Sequence, residues 1–420
     1  MAAKHVLSVQ SHVVHGYVGN KSAVFPLQLL GFEVDAVNSV QFCCHTGYPT
    51  FGGQVLDGDA LWSLVEGLDA NGLAAGYSHL LTGYIGGATF LRSVIRLLRL
   101  LRERCGPDLV YVCDPVLGDH GKLYVPEDLV AIYRAEVVPL ATVLTPNQFE
   151  CELLTGVAVD SEADAVEACA ALHARGVPLV CLTSLDYVGG DRIAMLLSER
   201  LDDARSEQYV LELPRLRGRY TGTGDLTAAL LLAWLKAHPL EPALALEKCG
   251  ATMSAVLRRT LAERQGRTVT HGGETREVPP EIALVASKAA IERPPTRAPA
   301  GGARLAATCL RLRGRIKGVV LDGAELAARG DAPECLAWLA GRGCRAAVAN
   351  ATGRVDLPAA AYPVVVTPRG VAEALAALAP LAPGDVLLVT ASEASAAVGR
   401  DAGAVVCALL PPPDGAAAPP

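Results

Sequence analysis

Apolar positions over roughly the first 290 residues form short, nearly unbroken runs separated by longer mixed stretches. The runs at 5–9, 33–38, 79–82, 109–113, 143–145, 179–183 and 209–213 are rich in Val and Leu and predict strands buried on both faces. The stretches at 61–68, 90–104, 162–175 and 226–236 predict helices between them. Strand–helix alternation of this kind predicts an α/β fold, an open and mostly parallel sheet flanked by helices. Ligands of such sheets sit beyond the carboxyl ends of the strands. Polar residues gather at those ends here: Ser11, Thr46, Gly83-Tyr84, Asp114, Asn147 and Thr183-Ser184.

Beyond this region the pattern restarts. Residues 293–304 hold Pro-Pro, Ala-Pro-Ala and Gly-Gly and read as a linker. Apolar runs at 318–321, 346–349, 364–366, 386–389 and 405–409 then predict five more strands, hence a second, smaller α/β unit over 305–410. The Pro/Ala-rich tail 411–420 is expected to be disordered. No internal repeat is present.

Composition narrows the partners. The chain has 420 residues, 51% of them hydrophobic and 19% charged, so a large core is possible. A net charge of −7, with no basic run interleaved with aromatics, argues against a nucleic-acid surface. No apolar stretch is long enough to cross a bilayer and no signal peptide is seen, so no membrane partner and a cytoplasmic location are expected. The 12 cysteines show no CxxC pair and no zinc spacing, and they fit a reducing compartment. The adjacent Cys43-Cys44 reads as packed thiols rather than a bridge.

The densest chemistry lies at Thr221-Gly222-Thr223-Gly224-Asp225, directly before the apolar run 226–234. Two glycines let the backbone approach an anion, and the helix that starts there directs free N–H groups at it. A carboxylate at the same place suits a base that takes a proton from an attacking hydroxyl in phosphoryl transfer. An Asp that only caps a helix fits the loop as well, and the motif alone leaves both readings open. Four further groups share the strand ends. Ser11-His12 precedes Gly16-Tyr17-Val18-Gly19-Asn20, and its hydroxyl suits a polar ring or a turn. His45-Thr46-Gly47-Tyr48 and Tyr84 offer hydroxyls and aromatic faces to a flat heterocycle, or pack in the core. Asp114 and Asp119 flank a Gly-containing loop that can bind Mg²⁺ through water or make ordinary turns. Thr145-Pro146-Asn147-Gln148-Phe149-Glu150 has the spacing of a capping box, and an uncompensated Glu150 at the sheet mouth also points to a hydrated cation. Thr183-Ser184 can supply hydroxyls to phosphate oxygens.

These motifs, with Asn38-Ser39-Val40-Gln41-Phe42, Leu81-Thr82-Gly83-Tyr84 and Tyr111-Val112-Cys113-Asp114-Pro115-Val116, are similar to those of the pyridoxal kinase family, within the ribokinase-like superfamily. The resemblance covers residues 4 to 292 and is close to the plant-type members. It implies ATP-dependent phosphorylation of the 5′-hydroxymethyl group of pyridoxal, pyridoxine and pyridoxamine, with Asp225 as general base and Gly222 to Gly224 as the anion hole. It implies that Ser11, Thr46, Tyr84 and Tyr124 meet the vitamer with Asp225. ATP falls to Asp114, Asn147, Glu150, Thr183, Ser184, Thr223 and Gly224, and its cations to Asp119, Thr145 and Glu150. Mg²⁺, a monovalent cation such as K⁺ and a homodimer are also implied. Cys43-Cys44 departs from a Ser-Asn pair common in relatives and sits beside the expected ring site.

The second unit resembles the haloacid-dehalogenase-like phosphatases through 318–323, 383–389 and 400–404. Their first loop carries two Asp residues. Here Val320 replaces the nucleophile if Asp322 is the second, or Ala324 replaces the second if Asp322 is the first. Thr367 stands at the expected Lys and Ala391 at the expected metal Asp. Such a domain is expected to be catalytically silent. The alternative is a bifunctional kinase–phosphatase that controls the pyridoxal phosphate level.

Overall fold

The computed structural model describes residues 4–202, 205–216, 218–239 and 241–295, and beyond them the backbone of five strands between 318 and 408. The chain divides into two compact units, 1–296 and 297–420. The linker expected at 293–304 lies, from residue 296 on, outside the described residues, as does the tail expected at 411–420.

The strands of the first unit are β1 (His5–Val13), β2 (Glu33–Phe42), β3 (Gly53–Val55), β4 (His79–Thr82), β5 (Val110–Cys113), β6 (Gly118–Asp119), β7 (Lys122–Leu123), β8 (Val143–Leu144), β9 (Leu179–Leu185), β10 (Arg192–Arg200), β11 (Ser206–Pro214), β12 (Arg267–His271) and β13 (Glu274–Val278). Nine of them make one sheet in the order β11-β10-β9-β8-β5-β4-β1-β2-β3. From β9 to β2 every neighbouring pair is parallel. The antiparallel β3 closes one edge and the antiparallel β10 and β11 close the other. Pairs β6-β7 and β12-β13 are separate hairpins.

The helices are α1 (Asn20–Leu29), α2 (Gly58–Ala70), α3 (Ala88–Cys105), α4 (Glu127–Ile132), α5 (Gln148–Thr155), α6 (Glu162–Ala174), α7 (Thr223–Ala237), α8 (Pro242–Glu263) and α9 (Lys288–Glu292). They cover both faces, which explains the unbroken apolar runs. Successive strand residues alternate between two cores. Leu7, Leu80, Tyr111, Val180 and Leu196 pack with α2, α3 and α6 through Leu61, Phe90, Leu98 and Leu172. Val6, Leu81, Val112, Cys181 and Leu197 pack with α1, α7 and α8 through Leu27, Leu230 and Val256. Helix α7 is buried from Leu226 to Trp234, so the loop before it is anchored from within the protein.

In the second unit the strands β14 (Gly318–Asp322), β15 (Arg345–Ala349), β16 (Val364–Thr367), β17 (Val386–Thr390) and β18 (Val405–Ala408) pair in parallel in the order β16-β15-β14-β17-β18.

Candidate active site

The glycine loop of residues 221–224 ends at the start of α7, where Gly222 is the N-cap and Asp225 lies in the first turn. Gly222 packs against the Tyr17 carbonyl oxygen so closely that a Cβ would collide with it. The loop is thereby seated on the chain segment that links β1 to α1. That segment reaches back to Asp225: the Gly19 N–H donates to Asp225 Oδ2 at 2.7 Å. Gly19 holds φ 53°, ψ −130° as the N-cap of α1, and a Cβ there would collide with the Ser11 carbonyl and hydroxyl. Only glycine satisfies both demands. Ser11 is buried near the end of β1 and faces this segment. Burial raises the Asp225 pKa and the Gly19 N–H pulls it back. A single backbone donor thus opposes the rise that burial imposes, and the carboxyl stays above its usual pKa.

Asp114 follows β5 and is 4% exposed. Its Oδ2 has no hydrogen-bond partner, and a Cβ on Gly224 would lie 3.4 Å from that oxygen. The oxygen therefore adjoins the anion loop. Its pKa is pushed well above the carboxylate range by burial, then by the charges of Glu150 and Asp225, while a hydrogen bond from Thr145 opposes the rise. Thr145 is itself buried just past β8.

Asn147 and Glu150 form the expected capping box of α5: Asn147 Oδ1 accepts from the Glu150 N–H and Glu150 Oε2 from the Asn147 N–H, each at 2.9 Å. The expectation of an uncompensated Glu150 does not hold. Its Oε1 also accepts from the N–H groups of Leu117 at 2.9 Å and Gly118 at 3.4 Å. Burial still pushes Glu150 up to about 7, against those backbone bonds. Asn147 bridges in parallel to Thr183, whose N–H donates to the Pro146 carbonyl at 2.9 Å. Next to it Ser184 adopts φ 57°, in the left-handed region that costs a side-chain-bearing residue energy and that gathers at functional sites.

Asp119 bonds to its neighbour His120. Its Oδ1 accepts from the His120 N–H at 2.8 Å, Oδ2 lies 3.5 Å from the His120 ring, and the side chain is 44% exposed. It reaches Glu150 only through its charge. Tyr124, just past β7, is 53% exposed, and its N–H donates to the Leu117 carbonyl at 2.8 Å. Thr223 opens α7, its carbonyl accepting from the Thr227 hydroxyl at 2.8 Å. On the ring side, Thr46 is exposed in the loop after β2. Tyr84 follows β4, and its carbonyl accepts from the Ser39 hydroxyl at 2.7 Å. Cys43 and Cys44 are free thiols with Sγ atoms 3.6 Å apart.

Sequence reading missed the Gly19 amide as the holder of Asp225. The glycine stood in a quoted motif, but a backbone donor leaves no side-chain signal. It also missed the polar network under the ring side, where Asn20 accepts from Ser8 at 2.8 Å and donates to Asn38 Oδ1 at 2.8 Å and the Val37 carbonyl at 3.0 Å.

The residues fit a hydrated divalent cation. A buried carboxylate oxygen without a partner, beside an anion loop and within the field of two more carboxylates, lacks a positive charge. Among the described residues no three His, Cys, Asp or Glu side chains converge as a direct metal cage. Mg²⁺ rarely requires one, since it keeps several waters and binds through one or two carboxylates and substrate phosphates.

Known proteins are similar to this chain. The profile of the phosphomethylpyrimidine kinase family matches residues 82–271. A pyridoxal kinase of Arabidopsis thaliana is 50% identical over 291 residues, spanning 69% of this chain and 91% of its own. That of Homo sapiens is 44% identical over 302 residues, spanning 69% and 95%. The solved structure of Leishmania donovani pyridoxal kinase in complex with ADP and pyridoxamine superposes with a TM-score of 0.64 at 38% identity, covering 70% of this chain and 97% of that one. By its sequence and its ribokinase-like fold, this chain belongs to the pyridoxal kinase family.

Proposed function

We propose that residues 1–292 form the kinase domain and that Asp225 is the general base of an ATP-dependent phosphorylation of the 5′-hydroxymethyl group of pyridoxal, pyridoxine and pyridoxamine. The observation that carries this reading is the Gly19–Asp225 hydrogen bond, which aims a half-buried carboxylate beside a glycine anion loop. Ser11, Thr46, Tyr84 and the more exposed Tyr124 hold the vitamer. Asp225 accepts the hydroxyl proton as the phosphoryl group arrives, and the amides around Gly222 and Gly224 offset the charge that builds on it. Asp114, Asn147, Glu150, Thr183, Ser184 and Thr223 hold the nucleotide. Asp114 and Thr145, with Glu150 and Asp119 acting through water, would hold Mg²⁺, which when bound neutralises the charge of the phosphates. A monovalent cation such as K⁺, a homodimer and a cytoplasmic location belong to the same proposal, on the family resemblance. Among the described residues no helix is long and apolar enough to cross a membrane.

Turnover of three vitamers and of hydroxymethylpyrimidine, measured side by side with ATP, tests this reading. The matched family profile favours the pyrimidine as the second candidate, and faster turnover of the pyrimidine would overturn the assignment.

For the second unit we propose a silent haloacid-dehalogenase-like domain over 305–410. Supporting it is the all-parallel order β16-β15-β14-β17-β18, a 3-2-1-4-5 arrangement with Asp322 at the end of the central strand. Residues Ala324 and Ala391, on which the missing chemistry also rests, lie outside the described residues. Phosphate release from pyridoxal phosphate by the whole chain, surviving Asp225→Ala, would instead establish the bifunctional enzyme.

A further inference from the structure

Glu281 is a buried carboxylate that phosphoryl transfer does not use. It lies just past β13 and is 9% exposed. Two chain segments converge on it. Oε2 accepts from the Tyr17 N–H at 3.0 Å, Oε1 accepts from the Tyr48 hydroxyl at 3.3 Å, and Oε1 lies 3.4 Å from His45 Nε2. His45 Nδ1 accepts from the Gly47 N–H at 3.1 Å, which leaves Nε2 to carry the hydrogen toward Glu281. The His45 and Tyr48 rings pack 4.8 Å apart. The carboxylate occupies the space where a side chain at Gly16 would stand. Burial alone would raise the Glu281 pKa; the His45 hydrogen bond first and the Tyr17 N–H next oppose it, and the group lies below its usual value.

The segments so gathered are the ones that the reaction needs in register. His45 and Tyr48 bracket Thr46. Tyr17 lies two residues before Gly19, whose N–H fixes Asp225. The segment of residues 16–19 is therefore pinned twice, by Glu281 at Tyr17 and by Asp225 at Gly19.

We infer that Glu281 is a positioning residue for the vitamer, joining the Thr46 loop to the segment that orients the base. The inference rests on the reading that Thr46 meets the ring. Its own contacts are separate from those that hold Asn147 and Glu150 on the ATP side.

The test compares Glu281→Gln, Glu281→Ala, Tyr48→Phe and Thr46→Val in the full chain, reading KM for pyridoxal and for ATP separately. Glu281→Ala is expected to raise the pyridoxal KM about tenfold or more, by leaving buried donors unpaired, with the ATP KM within about twofold. Glu281→Gln keeps one acceptor and should fall between, and Tyr48→Phe should give a smaller rise of the same kind. Equal rises in both KM values, or an unchanged pyridoxal KM in Glu281→Gln and Tyr48→Phe, would overturn the clamp. If Glu281→Ala does not fold, those two milder variants decide. Thr46→Val separates the premises: an unchanged pyridoxal KM there refutes the ring-site reading, while a rise there without one in the Glu281 and Tyr48 variants refutes the clamp alone.

Discussion

Asp114→Asn should stabilise the metal-free protein while disabling it. The substituted oxygen, Oδ2, is buried without a partner beside Gly224, and its carboxyl feels both Glu150 and Asp225. Leaving such a group unpaired costs about 1–3 kcal/mol, more when it is charged. Asparagine keeps the shape, removes the charge and places a donor in the negative field of the two neighbours. The folded-state pKa of Asp114 lies above its unfolded value, so its stabilising contribution is full below about pH 4 and lost as pH rises through the folded pKa. The variant should therefore match the parent in acid and exceed it at pH 8. At roughly 2 °C per kcal/mol for a unit of this size, the gain in Tm is about 2–6 °C. Glu150 has the same sign, raised from 4.5 to about 7, so the parent itself should lose stability across that interval in chelator. Scanning fluorimetry at pH 4.5 and 8, in chelator and then with Mg²⁺ and ADP, reads both effects. Mg²⁺ with ADP should raise the parent's Tm and do less for the variant, whose kcat should fall with a steeper Mg²⁺ requirement. A variant less stable than the parent at pH 8 in chelator, or equally stabilised by Mg²⁺ with ADP, would refute the idea that this oxygen awaits a cation.

Three other substitutions or modifications probe the same centre. Asp225→Ala should lower kcat by ~10²–10⁴-fold with ATP binding retained by calorimetry, and a near-normal rate would refute its role as base. Gly19→Ala, which forces a side chain into Ser11 and shifts the amide that holds Asp225, should cost kcat more than it costs the ATP KM; equal activity would show that the Gly19–Asp225 bond is dispensable. Cys43 is exposed and its pKa is lowered, chiefly by a backbone hydrogen bond from Gly52 and then by the Cys44 thiol, whereas burial pushes Cys44 up to about 11. Among the cysteines of the first unit, iodoacetamide at pH 7.5 should therefore label Cys43 first, with pyridoxal slowing the reaction, and peptide mass mapping that found Cys44 or Cys105 ahead of it would contradict this.

Much of the first unit was legible because its strands are buried on both faces and read as continuous apolar runs. β10 was not, since Ala194, Met195, Leu196 and Leu197 are helix formers locally and become a strand only by pairing with β9 and β11. The exposed hairpin β12-β13 escaped because its Arg, Thr and Glu residues carry no burial pattern. In the site, side chains with a motif were found, including both partners of the α5 capping box. What stayed hidden was the compensation of Glu150 by the amides of Leu117 and Gly118, and the convergence on Glu281. Both depend on distant segments meeting, and local spacing does not encode that.

The Gly19–Asp225 bond spans 206 positions of the chain and the Tyr17–Glu281 bond spans 264. A nascent polypeptide emerging from the ribosome consequently carries a nearly whole β-sheet well before it owns a working centre. A chain ending between residues 214 and 225 would hold every strand of that sheet and still lack the carboxylate that Gly19 grips.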